Sequence, residues 1–167
     1  MGQGAREEVN LIAGNSPGGQ NFGWRVREGD IATPGVGGPA QPGMVEPVLV
    51  YGRSFGASIT GGTVVRDAAS PLNGRYVFGD FAFGSIWALP AGGSDLSFAN
   101  AVDISAALDA GAGGALGNIS SFGSGAGGEL YIVDYGGKVV QVVPEPGAAA
   151  LLLAGLAMLV VWRRRLG

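Results

Sequence analysis

Chemistry in this chain has to come from carboxylates, guanidinium groups and hydroxyls, because its 167 residues contain no histidine and no cysteine. Without histidine there is no usual general base near neutral pH, no His-ligated zinc, and no Ser-His-Asp triad built from this chain alone. Without cysteine there are no disulfides, thiolate metal sites or thiol nucleophiles, although this does not contradict export. Glu7 and Glu8 stand side by side and read either as a ligand pair or, the reading the residues favour, as a solvated acidic turn entering a strand. Trp24 next to Gly23 reads as a stacking platform for a sugar or, more simply, as a core plug. Thr60 with Gly61 and Gly62 lets backbone approach a ligand, or else makes a bulge or tight bend, which is the plainer reading. Arg53, between Gly52 and Ser54 on a loop, is the basic residue to test for contact with an anion. Asp80 and Asp134 occupy matching places in two similar segments, and that duplication argues for turn capping over catalysis.

The elements that must position these residues are strands. Glycine supplies 33 of the 167 residues and only 14% are charged, too much glycine and too few helix formers for a helical bundle. Val, Ile, Phe and Tyr in short runs instead predict an all-β protein. Ten basic against thirteen acidic residues give a formal charge of −3, and the tail supplies three of those basic residues, a balance that argues against a nucleic-acid surface. Residues 76–81, a turn at Gly84 and residues 85–89 parallel residues 130–135, a turn at Gly136-Gly137 and residues 138–142. Further strand candidates at 58–66 and 118–122 precede the two units, which lie about 54 residues apart, the spacing of supersecondary repeats. Strand, glycine turn, strand at such intervals predicts antiparallel meanders, with a propeller blade as the repeating unit. An outer strand near 96–104, a loop rich in Gly and Ala after it, an irregular Pro/Gly loop at 33–43, and strands at 21–25 and 45–51 complete the expectation. The total is about one and a half to two blades, too few to close a ring.

The end of the chain reads as an address. Pro144, Glu145 and Pro146 precede an uncharged apolar run at 148–162, which Arg163, Arg164 and Arg165 terminate. The prolines hold the chain extended. The run, as one C-terminal hydrophobic helix, falls short of the bilayer core of roughly 30 Å and spans only with its flanks or local thinning. The arginines favour the cytoplasmic side, which leaves everything before Pro144 outside. This order resembles the PEP-CTERM sorting signal of exported bacterial surface proteins. The resemblance implies a membrane-inserted precursor, cleavage by an exosortase-type protease near the Pro-Glu-Pro element, and an extracytoplasmic product, membrane-anchored or at the cell surface. Residues 1–14 show no basic stretch followed by an apolar one, so the expectation is the C-terminal part of a longer precursor.

Residues 2–12, Asn21-Phe22-Gly23-Trp24-Arg25 with Glu28-Gly29, Ser58-Ile59-Thr60-Gly61-Gly62, residues 71–81, Ile119-Ser120-Ser121-Phe122-Gly123, Gly128-Glu129-Leu130-Tyr131 and Asp134 follow one another in an order that resembles the glucose/sorbosone dehydrogenase family. That family comprises six-bladed propellers, among them pyrroloquinoline-quinone-dependent sugar dehydrogenases and hedgehog-interacting-protein-like domains. The resemblance implies that residues 1–143 are C-terminal blades of a partial six-bladed β-propeller and that 144–167 form the sorting signal with its transmembrane helix. It implies pyrroloquinoline quinone and calcium in a full-length parent, none in this piece, and a sugar or glycan as partner. Arg53 and Thr60 are then the weak candidates for cofactor contact, with no catalytic or metal-ligating residue expected. The quinoprotein pattern is broken in three places: no histidine base, no lysine in Phe81-Ala82-Phe83-Gly84, and no arginine in Ala115-Leu116-Gly117-Asn118. A tricarboxylate cofactor without opposing cations loses its charge-assisted hydrogen bonds. Two functions stay open: a terminal piece of a surface sugar dehydrogenase, and a non-catalytic surface propeller that binds glycan or protein.

Overall fold

The computed structural model describes residues 2–143, and the proposed sorting residues Pro144, Glu145, Pro146, Arg163, Arg164 and Arg165 lie outside the described residues. The described part is all-β, built from small antiparallel sheets. β1 (Arg6–Val9) pairs with β4 (Leu49–Gly52), and the hairpin of β2 (Arg27–Glu28) and β3 (Ile31–Ala32) is inserted between them in sequence. β5 (Ile59–Val64), β6 (Arg75–Asp80), β7 (Ile86–Pro90) and the two-residue β8 (Val102–Asp103) form a four-stranded meander in chain order. β9 (Ile119–Ser124), β10 (Leu130–Asp134) and β11 (Lys138–Val142) form a second meander of three strands. The repeat legible in the sequence is therefore a repeat of sheets.

These sheets stack because the middle one is apolar on both faces. Along β6 and β7, Val77, Ile86 and Ala88 face one way and pack with Val65, Ile119, Leu130 and Ile132, joining the second meander. Phe78, Trp87 and Leu89 face the other way and pack with Leu49 and Tyr51 of β4. Side-chain period two divides each strand between two cores, and each fully buried Phe, Ile or Leu contributes about 1.5–3 kcal/mol. The first strands of the two meanders also touch: the Thr60 hydroxyl donates to the Ile119 carbonyl at 2.6 Å, and the Thr63 and Ser124 hydroxyls lie 3.2 Å apart.

Three expectations are corrected. Residues 21–25 make no strand beyond a single bridge from Asn21 to Met44. Asn21 Oδ1 accepts from the Gly23 amide at 2.9 Å, Gly23 adopts φ +89°, and the Gly23 carbonyl closes a turn with the Arg27 amide, which bends the chain out of the extended form. The outer strand expected over 96–104 shrinks to β8, because Phe98 enters a short 3-10 helix (Phe98–Asn100) and places its ring against Tyr51 and Trp87 at 5.1 and 5.4 Å. Part of the Gly/Ala loop expected after it is helix α1 (Ser105–Gly111), whose Leu108 plugs the core between the meanders. Asp103 Oδ1 accepts from both the amide and the hydroxyl of Ser105 at its start.

Candidate functional site

The charged and polar residues converge at one end of the stack, where β4, β6 and β10 finish and β1, β5 and β9 begin. Asp80 ends β6 fully buried. Its Oδ1 accepts from the amides of Ala82 and Phe83 at 2.9 and 3.0 Å and so caps its own turn. Its Oδ2 accepts from the Ser58 amide and the Tyr51 hydroxyl, both at 2.9 Å, which ties the entry of β5 and the end of β4 to the same carboxylate. Burial, then the neighbouring Asp80 charge, push the Tyr51 hydroxyl well above the ordinary phenol range.

Asp134 repeats the device one sheet further on. Its Oδ1 accepts from the Gly136 amide in the following turn at 2.5 Å, and its Oδ2 from the Gly117 amide, two residues before β9, at 2.6 Å. The amides of Gly117 and Gly136 hold its carboxyl below the usual carboxylate range, against a smaller opposing effect of burial. Each aspartate thus clasps a turn to the first strand of its own sheet. Both carboxylates bind backbone amides at their turns, as their duplication in the sequence suggests, and Asp80 accepts from the Tyr51 hydroxyl as well.

Glu7 is not a solvated turn residue. It lies in β1 with no exposed surface, since Arg53 reaches its Oε1 at 2.5 Å and the Ile59 and Gly2 amides donate to its Oε2 at 3.1 and 3.3 Å. A buried carboxylate needs such partners. Glu8 is half-buried and accepts from the Gly29 amide and the Asn10 side chain. Trp24 is not a core plug: it is 67% exposed. Its place in the tight turn after Gly23 carries the ring outward.

Glu28, which sequence reasoning passed over as part of a Glu-Gly dipeptide, is the second buried carboxylate of this cluster. Its Oε1 accepts from the amides of Gly4, Ala5 and Arg6 at 2.7, 2.7 and 3.0 Å, and Arg53 Nη2 stands 3.6 Å away. Burial works to raise its carboxyl, but the three amides and the Arg53 charge outweigh it and leave Glu28 below the usual range. Arg53 therefore sits between Glu7 and Glu28, one guanidinium facing two buried carboxylates.

Thr60 is engaged in the contact with Ile119, and the Gly61-Gly62 pair that follows it forms a β-bulge: the pairing with β6 shifts between Thr60 and Thr63. A Cβ on Gly62 would lie 1.8 Å from the Val77 carbonyl oxygen, so only glycine fits. The residues present do not fit a tricarboxylate quinone. Arg53 is balanced by two carboxylates and Thr60 donates within the chain. Lys138, a cation near the 115–118 segment, is on the surface and donates to the Ala115 carbonyl at 3.3 Å. Among the described residues no group of three or more Asp, Glu, His or Cys is arranged to hold a metal ion.

Comparison with known proteins supplies what the geometry does not. Residues 142–165 match the PEP-CTERM protein-sorting motif. The chain is exported and sorted to the cell surface. Its sorting route is membrane-associated and includes processing by exosortase, and its product is extracytoplasmic, at the surface or membrane-anchored. The surface-sorted chain is also similar to the HIPL1 protein of Arabidopsis thaliana, 38% identical over 105 residues, which cover 53% of this chain and 14% of the plant protein. It thus spans about a seventh of that relative's length. No solved structure matches. No helix among the described residues is long and apolar enough to cross a membrane, and the apolar run at 148–162 lies outside them.

Proposed function

We propose that residues 1–143 are adjoining blades of an exported, sugar-dehydrogenase-like propeller, carried by a sorting signal at 144–167, and that they act as a surface binding module for glycan or protein without redox chemistry of their own. The observation that carries this reading is the commitment of Arg53 to Glu7 and Glu28. The cation best placed by sequence for a quinone carboxylate is neutralised from within, and moving it would strand two buried carboxylates. Two chain-ordered meanders whose first strands lie side by side, together with the similarity to the HIPL1 protein, support the blade reading. The test uses the protein with whatever sequence precedes residue 1 in its gene. Pyrroloquinoline quinone and calcium are added, and dye reduction is followed with a panel of aldoses, while the same preparation is applied to immobilised glycans. Glycan retention without cofactor-dependent dye reduction is expected. A cofactor-dependent rate with any aldose would overturn the binding-module reading in favour of a dehydrogenase.

A further inference from the structure

We propose that an apolar groove at the far end of the second meander rests on the membrane surface for as long as the sorting signal remains attached. The groove has a volume of about 380 Å³ and no charged residue in its wall. Leu72, Ile104, Ala107, Leu108, Val142 and Val143 line it, with Ala107 and Val143 exposed. Its β11 wall runs toward the end opposite the Asp134 and Tyr135 turn, because Val142 pairs with Leu130 while Lys138 pairs with Asp134.

Where the chain leaves the fold decides what meets this groove. β11 ends at Val142, the sorting motif begins at that same residue, and Val143 is itself part of the groove wall. Five peptide steps separate Val143 from the start of the apolar run at Ala148, a reach of at most about 18 Å. The run at 148–162 gives about 22 Å as a helix, less than the roughly 30 Å hydrocarbon core, so insertion draws its flanks toward the bilayer. A surface held that near its target binds at high effective concentration, and a weak apolar contact suffices. No charge has to be desolvated, which an acidic or basic rim in the groove would have required. The inference rests on the sorting reading and is independent of the propeller reading.

The absence of cysteine makes single-site labelling clean. A107C and Y135C place an environment-sensitive dye at two exposed positions, one on α1 in the groove wall and one in the turn after Asp134 outside the groove, Tyr135 being 76% exposed. The unprocessed full-length protein is reconstituted into phosphatidylethanolamine and phosphatidylglycerol vesicles that contain a lipid-borne quencher. Quenching at position 107 is expected to exceed that at position 135 by about twofold or more, and cleavage of the signal should abolish the difference. Equal quenching at both positions in protein that resists carbonate extraction overturns the docking and leaves the anchor standing, whereas extraction by carbonate overturns the anchor itself. Blue-shifted emission at position 107 in cleaved, lipid-free protein, unchanged by vesicles, also overturns the proposal and assigns the groove to a second copy or an added strand.

Discussion

The Tyr51 hydroxyl donates to the Asp80 carboxylate at 2.9 Å across a sequence separation of 29 residues, joining the last strand of the first sheet to the second strand of the next. Three amide donors from two loops complete that carboxylate, so one buried side chain fixes the relative position of β4, β5 and the turn after β6. Removing it leaves donors with no water to replace it. Asp80→Ala is expected to lower stability by about 3 kcal/mol, and Tyr51→Phe, which removes one donor and leaves three, by about 1 kcal/mol. Urea denaturation of the exported protein measures both. Equal, small losses from the two variants would show that Asp80 is not the joint.

Arg53 gives a second prediction, and it separates a structural from a ligand-binding role. Arg53→Ala leaves Glu7 and Glu28 buried beside each other without their shared cation, at an expected cost of about 2–4 kcal/mol, reduced from a fully buried pair because Arg53 keeps some solvent contact. Combining Arg53→Met with Glu7→Gln removes one charge of each sign and should recover much of that loss. If Arg53→Ala is as stable as the parent protein, the guanidinium is free for a ligand after all.

The β-bulge in β5 supplies a third. At Gly62 an added methyl group meets the backbone of Val77, which no rotamer change can relieve. Gly62→Ala is therefore expected to cost on the order of 3 kcal/mol, or to force the pairing of β5 with β6 out of register. Gly61→Ala is the control, since a Cβ there meets nothing within 4 Å. Comparable losses from the two substitutions would contradict the assignment of the bulge.

The parts of this architecture that were legible from sequence are those governed by neighbours along the chain. The short β-branched and aromatic runs at 76–81 and 130–135, each with an aspartate just before its end and a glycine turn after it, are enough to define the hairpins β6–β7 and β10–β11. Glu7 was misread because its partner Arg53 is 46 residues away, and Glu28 was missed because its amides come from Gly4, Ala5 and Arg6, more than 20 residues upstream. Nothing local distinguishes a carboxylate destined for burial from a solvated one. Phe98 departs from its expected strand for the same reason: the ring finds Tyr51 and Trp87, and the backbone follows.

Acid should loosen the fold through the two carboxylates with depressed values. Glu28 and Asp134 bind protons less readily in the folded chain than in the unfolded one. Their contribution is complete above the ordinary unfolded values of about 4 and is lost as pH falls through the lower folded values. Denaturant midpoints should therefore be level from about pH 5 upward and fall below about pH 4. Asp134→Asn cannot titrate, so it should be less stable at neutral pH and show a shallower acid limb. A limb as steep as that of the parent protein would place the titration elsewhere.

Replacing Pro144, Glu145 and Pro146 together by alanine tests the address on which localisation depends. Proline in a helix interior removes an amide donor and keeps its predecessor out of the α region, so Pro144 and Pro146 would stop any helix over the apolar run from extending backwards. If the apolar run inserts as a helix, as its sequence leads one to expect, alanines at 144–146 would let that helix extend back toward Val143 and hide the segment next to it from the protease. The expected result is a chain of precursor length, retained in the membrane and absent from the surface fraction. Replacing Arg163, Arg164 and Arg165 with serine should act differently, by weakening retention of the C-terminus on the cytoplasmic side, so that precursor escapes before it is cut. Immunoblotting of membrane and surface fractions separates the two outcomes. Normal processing of the alanine variant would mean that cleavage does not read the Pro-Glu-Pro element.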